Sequence, residues 1–320
     1  MNKNFIFFIL IISFVTCKKT ADPTGEYQIP TFGTTGKYDI NTYTTQDDDY
    51  TTAYFPTDLN SLEKLPVIFF ISGWFGSPTK SSKYETLLRF MASQCYIIIY
   101  TDEGSTTDYE FSLQKFDAFL NSNEDFIKNT LKSKIDMDKI GIAGHSAGGG
   151  LVFTAMKYFS AKGYGNKGRF VFAIEPWFAF GMDEADMQQL PSNMNAVIQQ
   201  YGPGGNNSAN GTDARIPLTE YALLTSIDNK KKDYQVYENA DHSYPTGSKS
   251  VDEMQGLLKP LHALMEYTFV NQSEEVRKAA LELGSDDPYA NGHGIQQVLD
   301  SYQYPCDGAN TLIDYCSIVP

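Results

Sequence analysis

The sequence predicts an α/β domain with a mainly parallel central sheet, helices on both faces and antiparallel strands at its N-terminal edge. Three observations carry this. Short apolar runs recur at 67–72, 96–101, 140–143, 170–174, 195–201 and 233–238, each of a length suited to a strand buried on both faces. Segments of helical period, such as 84–93 and 111–131, separate most of them. The runs 38–45 and 50–55 instead alternate apolar and polar residues, which suits antiparallel edge strands.

Residues 1–17 carry Lys3 and then an unbroken apolar or small stretch from Phe5 to Val15. That stretch is too short for a membrane-spanning helix and has the length of a signal-peptide core. The reading is a signal peptide over 1–17 and a single domain over 18–320, so the mature chain is expected to be secreted or extracytoplasmic. Cleavage falls near Thr16 or Cys17, with Cys17 the alternative as a lipid-attachment site. No later segment is apolar enough to cross a membrane. A net charge of −14 argues against nucleic acid or an anionic membrane as partner, because both attract basic surfaces. The run Asp47-Asp48-Asp49 reads as a solvated loop. The sequence does not fix the oligomeric state.

Four cysteines are present. Cys306 and Cys316 lie close together in a turn-rich tail, where export permits a disulfide that would tether it; two reduced thiols are the alternative. Cys95, ahead of an apolar strand, is expected to be a buried free thiol.

Gly144-His145-Ser146-Ala147-Gly148 follows the short apolar run 140–143 and precedes the helical run 151–160. A serine on a sharp strand-to-helix turn presents its hydroxyl as a nucleophile, and only small neighbours fit around it. Gly149 and Gly150 would let the helix pack close to the sheet. The helix N-terminus aims N–H groups and a positive dipole at a developing oxyanion. Parallel sheets bind ligands beyond the C-terminal ends of their strands. At one such end, Ser72-Gly73-Trp74-Phe75-Gly76 can turn the N–H of Trp74, or of Phe75, toward the serine. The N–H of Ala147 would be the second donor. At another end stands Glu175-Pro176-Trp177, with Trp177 expected over the mouth of the site.

A serine needs a base, and the base an orienting acid. His145 adjoins the nucleophile, so its side chain should point away into the structure. His262 sits in an apolar helical stretch and reads as packing, while His293 lies in a loop and stays open as a candidate. His242 follows the last strand in a turn and is the expected base. Asp213, after the preceding strand, is the expected acid, with Glu175 the competitor from one strand earlier. Asp183, Glu184 and Asp186 read as a solvated helix start.

The order Ser146, Asp213, His242 is that of α/β-hydrolases. Several stretches resemble the bacterial cutinase and polyester (PET) hydrolase group, within the dienelactone-hydrolase-like branch of that fold. Ser72-Gly73-Trp74 is similar to the group's Pro-Gly-aromatic oxyanion turn. Residues 91–96 resemble its Ala-Ser-Gln-Gly-aromatic lead into a strand, and 138–150 its elbow. Pro176-Trp177 matches its Pro-Trp pair. Asp213 with Pro217 resembles its acid loop, and Ala240-Asp241-His242 with Pro245 its histidine loop. Cys306 and Cys316 look like its C-terminal disulfide. The chain departs from the group at Ala147 (usually methionine), Ser72 (proline) and Cys95 (glycine), and its segments 202–211 and 271–301 are longer.

The resemblance implies an α/β-hydrolase fold and a secreted serine carboxylester hydrolase acting on apolar esters, lipid or polyester, through an acyl-enzyme. Ser146, Asp213 and His242 would be catalytic, and Trp74 and Ala147 would form the oxyanion hole. Trp74, Phe75 and Trp177 would bind substrate. No metal or organic cofactor is expected. The rival readings are a phospholipase or platelet-activating-factor-acetylhydrolase-like lipid esterase, and a non-catalytic binding protein on the same fold. Because the base must be neutral, activity is expected to rise through about pH 6 to 8, the usual range for histidine.

Overall fold

Alternation along the central strands divides the apolar side chains between two faces, and helices cover each face. A computed structural model of the chain describes residues 27–46, 50–74, 76–102, 110–202, 213–237, 239–283 and 312–315. The strands are β1 (Ile40–Thr44), β2 (Thr52–Pro56), β3 (Leu65–Ile71), β4 (Ile97–Thr101), β5 (Ile135–His145), β6 (Gly168–Ile174), β7 (Met194–Tyr201) and β8 (Lys232–Tyr237). They form one sheet in the order β1-β2-β4-β3-β5-β6-β7-β8. β1 and β2 pair antiparallel, as do β2 and β4, and the other pairs are parallel. The N-terminal edge is therefore antiparallel, as the alternating runs there predict.

The helices are α1 (Glu85–Ser93), α2 (Glu110–Leu120), α3 (Lys132–Lys134), α4 (Ala147–Ala161), α5 (Glu184–Gln188), α6 (Arg215–Leu223), α7 (Gln255–Phe269) and α8 (Glu274–Leu281). On β3, Val67, Phe69 and Ile71 pack into one apolar cluster with Phe116 of α2 and with Phe153 and Phe159 of α4. Ile68 and Phe70 enter the opposite cluster with Leu87 and Leu88 of α1 and Leu261 and Leu264 of α7. Each of these side chains is almost wholly buried, and such burial stabilises by about 1.5–3 kcal/mol per large aliphatic or aromatic residue. This double burial explains why the central strands read as continuous apolar runs rather than alternating ones. Among the described residues no helix is long and apolar enough to cross a membrane.

Three local features differ from the sequence reading. The helix expected over 111–131 is broken: α2 stops at Leu120, and a π-type turn at Ile127–Leu131 precedes α3. Between them the Ser122 hydroxyl accepts from the Glu124 N–H at 3.2 Å, a local bond that competes with helix continuation. β5 starts five residues early, because Ile135 and Asp136 pair with Leu65 and Pro66 across a shift in register. Cys95 is not a free thiol but is disulfide-bonded. The other cysteines, Cys17, Cys306 and Cys316, lie outside the described residues, and so therefore does its partner. Cys95 also holds φ at 74°, a left-handed conformation that costs a side chain little only when it is glycine.

Glu220 on α6 is fully buried, and among the described residues neither carboxyl oxygen has a hydrogen-bond partner. Burial alone pushes its pKa well above the ordinary 4.5, because desolvation disfavours the charged form. The folded chain thus holds Glu220 protonated, whereas unfolding above pH 4.5 releases the proton. Stability must fall as pH rises past that value. Glu220→Gln keeps the shape and removes the ionisation, so the variant should gain thermal stability over the parent at pH 8 and match it near pH 4. Parallel melting-temperature curves across pH for the two proteins would contradict this.

Candidate active site

The turn between β5 and α4 is a single residue. Ser146 holds φ 56° and ψ −121° between His145, the last residue of β5, and Ala147, the first of α4. Such a conformation costs a non-glycine residue on the order of 1–3 kcal/mol, so the surroundings must hold it. The Ser146 N–H donates to the Ile174 carbonyl at 3.0 Å. Its own carbonyl accepts from the N–H groups of Trp177 at 2.8 Å and Gly150 at 3.1 Å. The neighbouring glycines are required by contact. A Cβ at Gly148 would lie 2.2 Å from the Ser72 carbonyl oxygen, and one at Gly150 would lie 2.0 Å from that of Phe178. The glycines thus seat α4 against both the β3 exit and the segment after β6.

His242 stands beyond β8, and its Nε2 lies 2.9 Å from Ser146 Oγ. A neutral imidazole that accepts the serine proton at Nε2 carries its own proton on Nδ1. That Nδ1 is buried, with no hydrogen-bond partner among the described residues. Burial lowers the His242 pKa to about 4, with the nearby Asp241 charge working in the opposite direction. Asp241 does not bond the ring: its Oδ1 accepts from the Ser243 N–H at 2.8 Å and the Ser243 hydroxyl at 2.7 Å.

Asp213 sits just ahead of α6. Its Oδ1 accepts from the Arg215 N–H at 2.9 Å, and the Arg215 guanidinium lies 3.3 Å from Oδ2. Glu175 is fully buried with φ at 46°. Its carboxylate accepts from Gln200 Nε2 at 2.9 Å and from the Tyr201 N–H. Both carboxylates are thus engaged at these contacts, and among the described residues neither is hydrogen-bonded to His242. Asp183 and Asp186 form a capping box at the start of exposed α5.

Ala147 opens α4, so its N–H belongs to the first turn, whose donors lack intrahelical acceptors. The Gly73–Trp74 turn lies against the nucleophile: a Cβ on Gly73 would fall 3.1 Å from Ser146 Cβ and 3.0 Å from His145 Nδ1. The Trp74 side chain is 57 % exposed. Trp177 is half-buried, with its ring edge-on to Phe178 at 4.7 Å, and its backbone touches Ser146 as described. Phe75, Cys306, Cys316, Cys17, His293 and Asp47 to Asp49 lie outside the described residues.

His262 is packing, as expected, edge-on to Phe32 and Phe90 at 5.5 and 5.8 Å. The His145 side chain is buried, as expected, but its ring also lies 4.6 Å from that of His242. Tyr84 is the site neighbour that sequence reasoning missed. Its hydroxyl contacts both the Gly73 N–H and His145 Nδ1, each at 2.9 Å. As one aromatic among the apolar residues of a helical segment, it carries no signal that singles out its hydroxyl.

The chain matches no protein-family model, and no curated protein matches it either.

If this serine and histidine act together, the histidine must be neutral, and activity is lost as pH falls through its pKa. Burial holds the His242 pKa at about 4, with no partner on Nδ1 among the described residues, and an orienting carboxylate on Nδ1 raises it, so an acid limb of kcat/KM that stays near pH 4 would contradict such a carboxylate. A pH–rate profile checks this. A midpoint at or above about 6.5 would show that a carboxylate reaches Nδ1 in solution, and comparison of Asp213→Asn with Glu175→Gln would then identify it.

Proposed function

We propose that the protein is a serine carboxylester hydrolase of the α/β-hydrolase fold, similar to the cutinase and polyester hydrolase group and acting on apolar esters. The observation that carries this reading is the 2.9 Å approach of His242 Nε2 to Ser146 Oγ, on a turn that holds the serine at positive φ. A strained serine at a strand-to-helix turn with an imidazole on its hydroxyl is the arrangement of acyl transfer.

In this mechanism the Ser146 oxygen attacks the ester carbonyl while His242 Nε2 takes its proton. The N–H groups of Ala147 and Trp74 receive the oxyanion that develops. The protonated imidazole then gives its proton to the leaving alkoxide. Water, deprotonated by the same nitrogen, attacks the acyl-enzyme and releases the acid. Asp213 is proposed as the acid for Nδ1, from its place after β7, one strand ahead of the histidine. In the structure the Asp213 carboxylate contacts Arg215, and serving Nδ1 requires one of its oxygens to reach the imidazole. Trp177, half-buried beside the turn, and exposed Trp74 offer apolar surface to the substrate, which supports apolar rather than highly charged esters.

Ser146→Ala should leave the fold intact, because a hydroxyl contributes little packing there. It should lower kcat for a p-nitrophenyl ester by about three orders of magnitude or more, the usual cost of losing a nucleophile. Parental turnover by a contaminant-free Ser146→Ala preparation would overturn the proposal.

A further inference from the structure

Three elements that meet at the nucleophile come from distant parts of the chain: the β3 exit, the elbow and the loop after β8. Their relative positions decide whether an oxyanion donor, a serine and a base act on one carbonyl at once. The Gly73–Trp74 turn has no side chain at Gly73 with which to fix itself. The Tyr84 hydroxyl supplies a fixing point, accepting from the Gly73 N–H at 2.9 Å. The same hydroxyl lies 2.9 Å from His145 Nδ1. Tyr84 is fully buried at the start of α1, with its ring 4.9 Å from Phe70 and edge-on to His145 at 5.9 Å.

We propose that Tyr84 and His145 are positioning residues for the Ser146–His242 pair. The Tyr84 hydroxyl ties the oxyanion turn to the His145 ring, and His145 carries that tie to the His242 loop. The inference rests on the serine-hydrolase reading above and adds two residues to it.

The polarity of the chain of contacts follows from His145. The ring is 99 % buried, so burial keeps it neutral, and the neighbouring His242 works in the same direction. A neutral imidazole has one N–H. The Tyr84 hydroxyl accepts from the Gly73 N–H and has one proton to give, and Nδ1 lies 2.9 Å away to receive it, which leaves the single His145 proton on Nε2. Donation then runs in one direction, from the Gly73 N–H to Tyr84 to His145. The two imidazole rings lie 4.6 Å apart, tilted by 41°, so His145 also backs the base side on.

Tyr84→Phe deletes the hydroxyl and keeps the ring against Phe70. Loss of the tie should let the oxyanion turn drift from the serine, an effect felt in the transition state more than in ground-state binding. For p-nitrophenyl acetate, kcat should fall about ten-fold or more with KM held within about two-fold. His145→Asn retains an acceptor near the place of Nδ1 and should keep more of the parental kcat than His145→Leu. Independently of turnover, ¹⁵N NMR of the imidazoles in the parent protein at pH 7 should report His145 as the Nε2–H tautomer. A folded Tyr84→Phe protein with parental kcat, or an Nδ1–H tautomer at His145, would overturn the inference. If the parent itself hydrolysed no ester, the esterase reading would fall, and the tautomer measurement would still decide the Tyr84–His145 contact.

Discussion

Ser146 is held at φ 56° by hydrogen bonds at both ends of its peptide, and much of the surrounding architecture exists to make that conformation tolerable. Its N–H is taken by the Ile174 carbonyl at the end of β6, and its carbonyl by Trp177 just beyond. The serine is therefore locked to the neighbouring strand, not only to its own. α4 must come close enough for these bonds to form, which is why a Cβ at Gly144, Gly148 or Gly150 would overlap backbone atoms. Strain of this kind persists only where the surroundings over-determine it.

From that turn, the sheet order places the other participants. β3 and β6 flank β5, so the exits of both neighbouring strands open beside Ser146. The β3 exit brings Gly73 and Trp74, and the β6 exit brings Glu175, Pro176 and Trp177. Glu175 also takes positive φ, so the chain turns sharply at the β6 exit as well as at the elbow. His242 comes five residues after the end of β8 at the far edge, so the short segment after that strand must bring it back over the sheet end to Ser146. His145, from the elbow itself, lies beneath that segment and against the His242 ring. The base is thus supported from below by the residue next to the nucleophile.

Much of this was legible in the sequence because it depends on local pattern. Runs such as residues 67–71 are apolar throughout, since both faces of the sheet are covered, and the Ser146 turn is marked by the small residues it needs. Elements that depend on distant partners were not legible. Nothing local to Cys95 distinguishes a disulfide from a buried thiol. The sequence does place it at a glycine position of the resembled group, and the 74° φ gives that departure its physical meaning. The break after Leu120 turns on one serine side chain competing for a backbone N–H. Nothing in the local pattern marks Glu220 as interior, yet α6 buries it without a hydrogen-bond partner among the described residues. Tyr84 joins two segments, one eleven and one sixty-one residues away, a role that periodicity does not encode. The orienting acid shows the same boundary. Asp213 stands in the expected place in the strand order, but its carboxylate is held by Arg215.

The central claim is that the Ser146 hydroxyl is an activated nucleophile, made so by its turn and by His242. Treatment of the native protein with a fluorophosphonate, followed by intact-mass and peptide analysis, tests this most directly because it needs no knowledge of the natural ester. The account predicts a single adduct per chain, on Ser146, lost when the protein is unfolded before treatment. A native protein that takes up no label, or a label on other serines at the rate of the unfolded chain, would contradict it.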